Sequence, residues 1–536
     1  MKIAISTINS KYIHINNSVY IIQMYLGKNS EIITHTLKDN ISTIIDDLVN
    51  CKADYYFFSI YIWNIELYKK ILPILRKNLP NSKIIVGGPE VSYDSSYLFE
   101  YVDFIYCGEV NGSINEIVEN NIVSEHIIDN PNMRSICNYN NFMHDIVYYE
   151  NIKIHNNQIF YIETSKGCPF KCSYCMSSLE NKVINMDVDK VYRAINFAID
   201  NNVKVVKFLD RTFNVDEARA KAIMNYIISN CNDNQSYQFE IAPEIISKEF
   251  LEYLKSIDKG CFRFEIGIQS VHNETVNAVD RFHNYEKYEK TIEELCKNSK
   301  IITHFDLIAG LPYETYNRFI ISFNTTFRLF PEEYQLGMLK ILNGTKLKYE
   351  ANIHRFKYQS TAPYQFIENK YLSKCECQNI NLVEDIVDRF YNSGKFKNTF
   401  KVLVDKYENI FDLLLKFNNY IIGHNFKLID YQLYDIYKIF YDFLCEFDKE
   451  LSDYVILDYI SVIKNKPKRF YKSMGKKHLN KVLTSMVSEN MSLNYLYKYI
   501  IVEEITLNEK VYIIKDLKKD KIKIENATSL FLVKNS

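Results

Sequence analysis

ETSKGCPFKCSYC, residues 163 to 175, sets three thiols, Cys168, Cys172 and Cys175, at a C-x3-C-x2-C spacing directly behind the apolar run IFYIETS, residues 159 to 165. A loop this short can wrap three thiolates around one face of an iron-sulfur cube. A 4Fe-4S cluster usually takes four cysteines, so three from one loop leave one iron open to a small molecule. The competing readings are a zinc site and three unrelated buried thiols. Zinc normally wants a fourth Cys or His at close spacing, and the next cysteine is Cys231. Gly167 ahead of the first thiol and Tyr174 ahead of the last also speak against coincidence.

Downstream of this loop, further strand-like runs recur at 203–210, 237–243, 261–270 and 302–312, with helical segments such as 187–201 and 218–229 between them. Strand and helix in alternation imply a parallel sheet, here a partial (β/α) barrel of the TIM type over residues 158–340. In such a barrel the loops at the carboxyl ends of the strands gather the active site, and the cysteine loop is one of these.

Upstream, apolar runs at 2–6, 31–37, 54–62, 83–88 and 102–109 alternate with patterns such as Leu67, Ile71, Ile74 and Leu75 on one helical face. They predict a doubly wound, Rossmann-like α/β domain over residues 1–125. A polar stretch at 126–157, with NPN at 130–132 and NYNN at 138–141, reads as a linker. From 341 to 536 the pattern turns mostly helical, for example 431–447, and ends in a small β tail with runs at 497–505, 510–517 and 529–534. Two or three domains suit 536 residues.

Composition narrows the class. Apolar residues make up 47% and charged residues 24%, the balance of a globular protein, and a net charge of -1 gives no electrostatic reason to expect nucleic acid or a membrane surface. The amino terminus lacks the apolar core of a signal peptide, and no run of about 18 apolar residues predicts a membrane span. The expectation is a cytoplasmic protein whose 12 cysteines are thiols and metal ligands rather than disulfides.

The motif C-x3-C-aromatic-x-C, filled by Cys168, Cys172, Tyr174 and Cys175, resembles the signature of the radical S-adenosylmethionine (SAM) superfamily. The resemblance implies a 4Fe-4S cluster whose open iron chelates SAM, reductive cleavage of SAM to a 5'-deoxyadenosyl radical, and an electron donor of the flavodoxin or ferredoxin type. Later strand ends suit that role. Asp210 in LDRTF stands where a carboxylate could bind the SAM ammonium. Glu265, Gln269 and Ser270 in FEIGIQS offer ribose or carboxylate contacts. Gly310 and Pro312 in LIAGLPYET resemble the family's adenine-binding turn, closed by Glu314. Polar residues at strand ends are also commonplace, which is the plain alternative for each.

In an open α/β sheet, ligands bind outside the carboxyl ends of the strands near the switch point. There lie Asn9 in NSKYIH, Ser59, the 61–64 turn, Gly87-Gly88-Pro89-Glu90 and Gly108-Glu109. The segments VGGPEVSY and VDFIYCGEV resemble the cobalamin-binding domain that precedes many radical SAM domains, which implies cobalamin as a further cofactor. The Asp-x-His-x-x-Gly loop that supplies a lower cobalt ligand in other cobalamin proteins is absent; His14 lies near that loop but outside the pattern. LGMLKILNGTKLKYEA, APYQFIENKYLS and VDRFYNSGKF resemble an uncharacterised carboxy-terminal domain of one cobalamin-type radical SAM subfamily, expected here as a helical cap that shapes the substrate pocket. The resemblance implies cobalamin-dependent methylation of a substrate carbon. The alternatives are a non-methylating radical rearrangement or redox step and a non-catalytic metal-binding module. Methylthiolation would call for three further cluster cysteines in the first domain, which holds only Cys51 and Cys107.

Overall fold

The computed structural model describes residues 1–27, 29–93, 95–123, 127–128, 149, 152–179, 182–281, 283–426, 431–487 and 491–526. The first sheet contains β1 (Ile3–Asn9), β2 (Ser30–Thr36), β3 (Tyr55–Ser59), β4 (Lys83–Gly87), β5 (Phe104–Tyr106) and β6 (Ile127–Ile128), ordered β2-β1-β3-β4-β5-β6. Pairings from β2 through β5 are parallel, and β6 adds antiparallel at the edge. The chain turns back between β1 and β3, so that is the switch point.

Both faces of this sheet are buried. Ala4, Ile8, Tyr56, Phe58, Ile84 and Val86 pack on one side under α2 (Ile41–Cys51) and α3 (Ile65–Asn78), which contribute Ile44, Leu48, Ile71, Leu72 and Leu75. Ile3, Ile5, Phe57, Ile85 and Tyr106 pack on the other against Val19 and Ile22 of α1 (Asn17–Leu26) and against Ile114 and Ile117. Strands covered on both sides read as unbroken apolar runs, which is why YYFF and KIIV announce themselves in the sequence.

The second sheet follows the cysteine loop. β7 (Ile159–Ile162) leads into a short antiparallel pair, β8 (Ser165–Lys166) and β9 (Ile184–Asn185), that brackets the thiols. The sheet continues with β10 (Val205–Phe208), β11 (Ser236–Ile241), β12 (Phe262–Gln269), β13 (Ile302–Ala309) and β14 (Glu333–Met338), ordered β7-β10-β11-β12-β13-β14. Its ends stay open, so it is a partial barrel. Along β11, β12 and β13 buried residues alternate strictly with half-exposed ones. Phe239, Phe262, Phe264 and Phe305 are buried, while Glu240, Glu265, His304 and Asp306 occupy the alternate, half-exposed face.

Compact packing divides the chain into residues 1–319 with 337–377 and residues 320–336 with 378–536. The first of these units takes in the first sheet, β7 to β13 of the second sheet, and residues 341–377. Backbone pairing holds the last of these stretches. Ile341 N–H donates to Tyr364 O at 3.0 Å and Phe366 N–H to Leu339 O at 2.8 Å, tying the hairpin-like β15 (Lys357–Tyr358) and β16 (Phe366–Glu368) to the end of β14. The other unit holds helices Lys397–Lys406, Ile410–Gly423, Leu433–Phe447 and Ser452–Val462, then an antiparallel sheet of β17 (Ile500–Thr506), β18 (Lys510–Asp516) and β19 (Lys521–Asn526). The run at 529–534 expected as the last tail strand lies outside the described residues, as do NPN and NYNN of the linker. The third strand is KIKIEN instead, missed because most of its side chains face solvent.

Candidate functional site

The cysteine loop is held from several directions. Gly167 has φ +82, and a Cβ there would collide with the backbone carbonyl of Lys182, so only glycine lets the loop leave β8 at this angle. Ser173 N–H donates to Val279 O at 2.8 Å and Cys175 N–H to Cys172 O at 3.0 Å. Thr212 Oγ1 lies 3.5 Å from Cys168 Sγ, and Arg281 Nη1 lies 3.9 Å from Cys172 Sγ. Burial pushes the Cys168 and Cys172 thiols above their ordinary range, while Thr212 and Arg281 pull the other way, toward thiolate. Burial also raises the Tyr174 phenol. Among the described residues no set of three or more His, Cys, Asp or Glu is grouped to hold a metal ion. A cube that offers a separate iron to each thiolate does not need them gathered round one point.

Behind the loop, Asp210 is fully occupied. Its carboxylate accepts from Thr164 N–H at 3.0 Å, Thr164 Oγ1 at 2.6 Å and Ser165 Oγ at 2.5 Å, and it is 1% exposed. These bonds anchor the strand end from which the loop springs. Glu265 is likewise engaged, with Lys207 Nζ at 2.7 and 2.9 Å, inside the barrel below the strand ends.

The strand ends beyond β12 and β13 do present polar groups. Gln269 sits at φ +66 beside a register shift, and its Oε1 is buried with no hydrogen-bond partner. Glu244 Oε2 is buried and without a partner too, while Glu244 Oε1 lies 3.4 Å from Arg281 Nη2. Arg281 Nη2 also donates to Gly267 O at 2.7 Å. Orphaned buried polar atoms are costly, and a polar ligand with donors beside Gln269 and Glu244 would satisfy them; SAM, with its ammonium and ribose hydroxyls, fits that donor set. Ser270 is buried, its Oγ accepting from His272 N–H at 3.2 Å. Gly310, at φ +100, lies against the Phe366 ring, and Pro312 and Glu314 are buried in the same turn.

A cavity of about 350 Å³ opens between the first sheet and the cysteine loop. Ser59, Gly87, Gly88, Gly108 and Glu109 line it from the first sheet, and Ser165, Lys166 and Gly167 from the loop. Gly88 has φ +113, and a Cβ would meet the carbonyl of Ile60. Ile22, Phe57 and Ile85 give the lining an apolar part, and Ser59, Glu109 and Lys166 give it a polar part. That cradle suits a ligand with one flat apolar part and one polar part, as cobalamin has. Asn9 and Glu90 fall outside the lining: Asn9 closes β1, its carbonyl accepting from Leu37 N–H, and Glu90 turns away to the Tyr364 hydroxyl. His14 is not in the lining either; its Nδ1 is 2.6 Å from the Tyr161 hydroxyl. Tyr61, at the cavity wall, stacks on Trp63 with centroids 4.3 Å apart.

Several contributing residues gave no signal in the sequence. Lys166 lies inside the quoted stretch but reads as a spacer; it is buried between Glu109 at 2.7 Å and Glu163 at 3.0 Å, joining the first sheet to the loop. Arg281 stands alone in VDRFH, and only the left-handed turn at Asp280 brings it to Cys172.

Comparison with known proteins bears on this geometry. A family model described as B12 binding domain matches residues 3–118, one described as Radical SAM superfamily matches 162–324, and one described as Protein of unknown function (DUF4080) matches 352–530. Residues 162–324 thus form a radical SAM domain. More narrowly, a B12-binding domain lies ahead of the radical SAM domain and a DUF4080 domain behind it, and the cofactors that the first two domains call for are a 4Fe-4S cluster, SAM and cobalamin.

Among solved structures it shares the fold of the cobalamin-dependent SAM radical enzyme OxsB (13% identity, TM-score 0.56, 85% of this chain and 78% of that one). It shares it also with the radical SAM methyltransferase TsrM of Kitasatospora setae (14% identity, TM-score 0.54, 68% and 76%). In sequence it is similar to the tRNA-2-methylthio-N(6)-dimethylallyladenosine synthase of Thermodesulfovibrio yellowstonii (24% identity over 256 residues, 46% of this chain and 56% of that protein). A second relative is the ribosomal protein uS12 methylthiotransferase RimO of Clostridium botulinum (21% over 253 residues, 46% and 54%). The chain spans about half the length of these curated relatives. No helix among the described residues is long and apolar enough to cross a membrane.

Proposed function

We propose that this protein methylates a carbon atom of its substrate in a cobalamin-dependent radical SAM reaction. The observation that carries the reading is the shared cavity: Gly88 and Ser59 of the first sheet and Lys166 and Gly167 of the cysteine loop form walls of one space. A methyl source seated in the first sheet and a hydrogen-abstracting radical formed at the loop would then act on the same substrate atom, which is the proximity such a transfer needs.

When bound, the cluster and SAM supply a 5'-deoxyadenosyl radical and the corrinoid supplies the methyl group. The chain's own residues do the rest. Cys168, Cys172 and Cys175 are the proposed cluster ligands, with Arg281 and Thr212 beside the sulfurs. Gln269, Glu244, Ser270 and the Gly310–Pro312 turn are proposed to hold SAM. Ser59, Gly87, Gly88, Gly108 and Glu109 are proposed to hold cobalamin. Lys166 ties Glu109 to Glu163 and so fixes one wall to the other. The electron is proposed to come from a flavodoxin- or ferredoxin-type donor. Cys51 and Cys107 pack into one apolar cluster of the first domain, which supports methyl rather than methylthio transfer.

Anaerobic reconstitution with iron, sulfide and hydroxocobalamin, followed by SAM and a reductant, tests this. The expected products are 5'-deoxyadenosine and S-adenosylhomocysteine together, with a corrinoid absorption spectrum in the purified protein. Deoxyadenosine without S-adenosylhomocysteine would point to the non-methylating reaction, and neither product would defeat the enzymatic reading.

A further inference from the structure

The opening stretch of the DUF4080 domain and the residues just before it touch all three candidate cofactor segments. Leu347 N–H donates to Ser173 O at 2.9 Å, inside the cysteine loop between Cys172 and Cys175. Asn369 Nδ2 donates to Gly310 O at 2.9 Å, and the Phe366 ring lies where a Cβ on Gly310 would come within 2.6 Å of it. On the first sheet's side, the Tyr364 hydroxyl meets the Glu90 carboxylate, and Gly344, at φ +83, accommodates the Tyr93 ring at 2.5 Å from its would-be Cβ. Tyr93 is itself a wall of the cavity.

These contacts are built into the segment rather than incidental to it. The Asn369 side chain is fixed at both ends, because its Oδ1 accepts from Tyr371 N–H at 2.8 Å and Leu372 N–H at 2.9 Å while its amide reaches Gly310. Leu347, Tyr364, Phe366 and Leu372 are buried. Ile341 and Phe366 pair with neighbours through backbone hydrogen bonds, so the segment folds back beside the end of β14. Held this way, a displacement at one of the three segments is resisted by the other two.

We propose that residues 341–372 form a positioning strap that keeps the cluster loop, the Gly310 turn and the Gly88–Tyr93 segment in mutual register. The inference rests on the proposed assignment of those segments to the cluster, SAM and cobalamin. It gives the first part of a domain without assigned role a task at the cofactor sites. Asn369, Tyr364 and Gly344 are positioning residues in it; none lines the cavity.

The test uses the full-length, anaerobically reconstituted protein and three readouts other than turnover: the dissociation constant for SAM by equilibrium dialysis, hydroxocobalamin bound per chain, and iron content. Asn369→Ala should weaken SAM about tenfold, the loss of one hydrogen bond that fixes the turn, with cobalamin and iron unchanged. Gly344→Ala should displace Tyr93 and lower cobalamin retention with the SAM constant unchanged; Tyr364→Phe, which removes only a hydroxyl, should do the same more weakly. Variants that bind both ligands like wild type would overturn the proposal. So would variants that lose both ligands in step with a lowered melting temperature, since that is the behaviour of ordinary packing. Wild-type protein that takes up iron but holds neither SAM nor cobalamin would instead defeat the functional reading on which the proposal stands.

Discussion

The two six-stranded sheets are made differently. In the amino-terminal sheet consecutive residues of a strand are buried in opposite directions, as Phe57 and Phe58 are, and helices cover both faces. In the barrel sheet only one face is apolar; the alternate face carries Lys207, Glu240, Glu265, His304 and Asp306. Glu240 stands directly opposite Glu265 in the register of β11 and β12, a like-charge pairing that costs stability. The first sheet buries both faces and adds mainly its strand ends to the cavity, whereas the second carries a whole face of polar and charged side chains.

In the second region chemistry and stability should come apart. Cys172→Ala should abolish 5'-deoxyadenosine formation and cluster iron, while the unfolding free energy of the unreconstituted protein stays within about 1 kcal/mol of wild type. Scanning calorimetry alongside product analysis checks this, and equal damage to both would contradict it.

A smaller effect of the opposite kind is expected in the first region. Leu72, fully buried on α3, should cost about 2–5 kcal/mol when replaced by alanine. Denaturant titration should show that loss, with iron per folded chain unaltered.

The smallest effect concerns Glu240. Burial, with Glu265 adding to it against the pull of Arg211, pushes its carboxyl up to about 7. The folded state thus favours the protonated form; the stabilisation is complete below the ordinary carboxylate range and is lost as pH rises through about 7. Glu240→Gln should flatten the fall in melting temperature between roughly pH 5 and pH 8, by about 1–2 °C. An unchanged slope would mean that Glu240 is already ionised at the lower pH.

The same contrast explains what could be read from the sequence. Apolar runs covered on both sides, such as KIIVG, declare themselves, and so does FRFEIGIQ with its alternation. The cysteine spacing is local and survives without three-dimensional information. What escaped was set by direction rather than residue type: a carboxylate at a strand end, Asp210, turns inward to Thr164 and Ser165, while Glu90, one residue past the cavity lining, turns to Tyr364. The backbone pairing that lays residues 341–366 beside the end of β14 was not legible either, because that stretch has no periodic pattern. Lys166 and Arg281 depend on partners distant in sequence, Glu109 and Cys172.

Trp63 is the sole tryptophan among 536 residues. Since its indole lies flat on Tyr61, and Tyr61 lines the cavity, the protein carries one built-in indole fluorophore beside the proposed cobalamin cradle. Red-edge excitation addresses that single ring, so a coloured corrinoid arriving nearby would quench the emission and allow uptake to be followed in real time without any label.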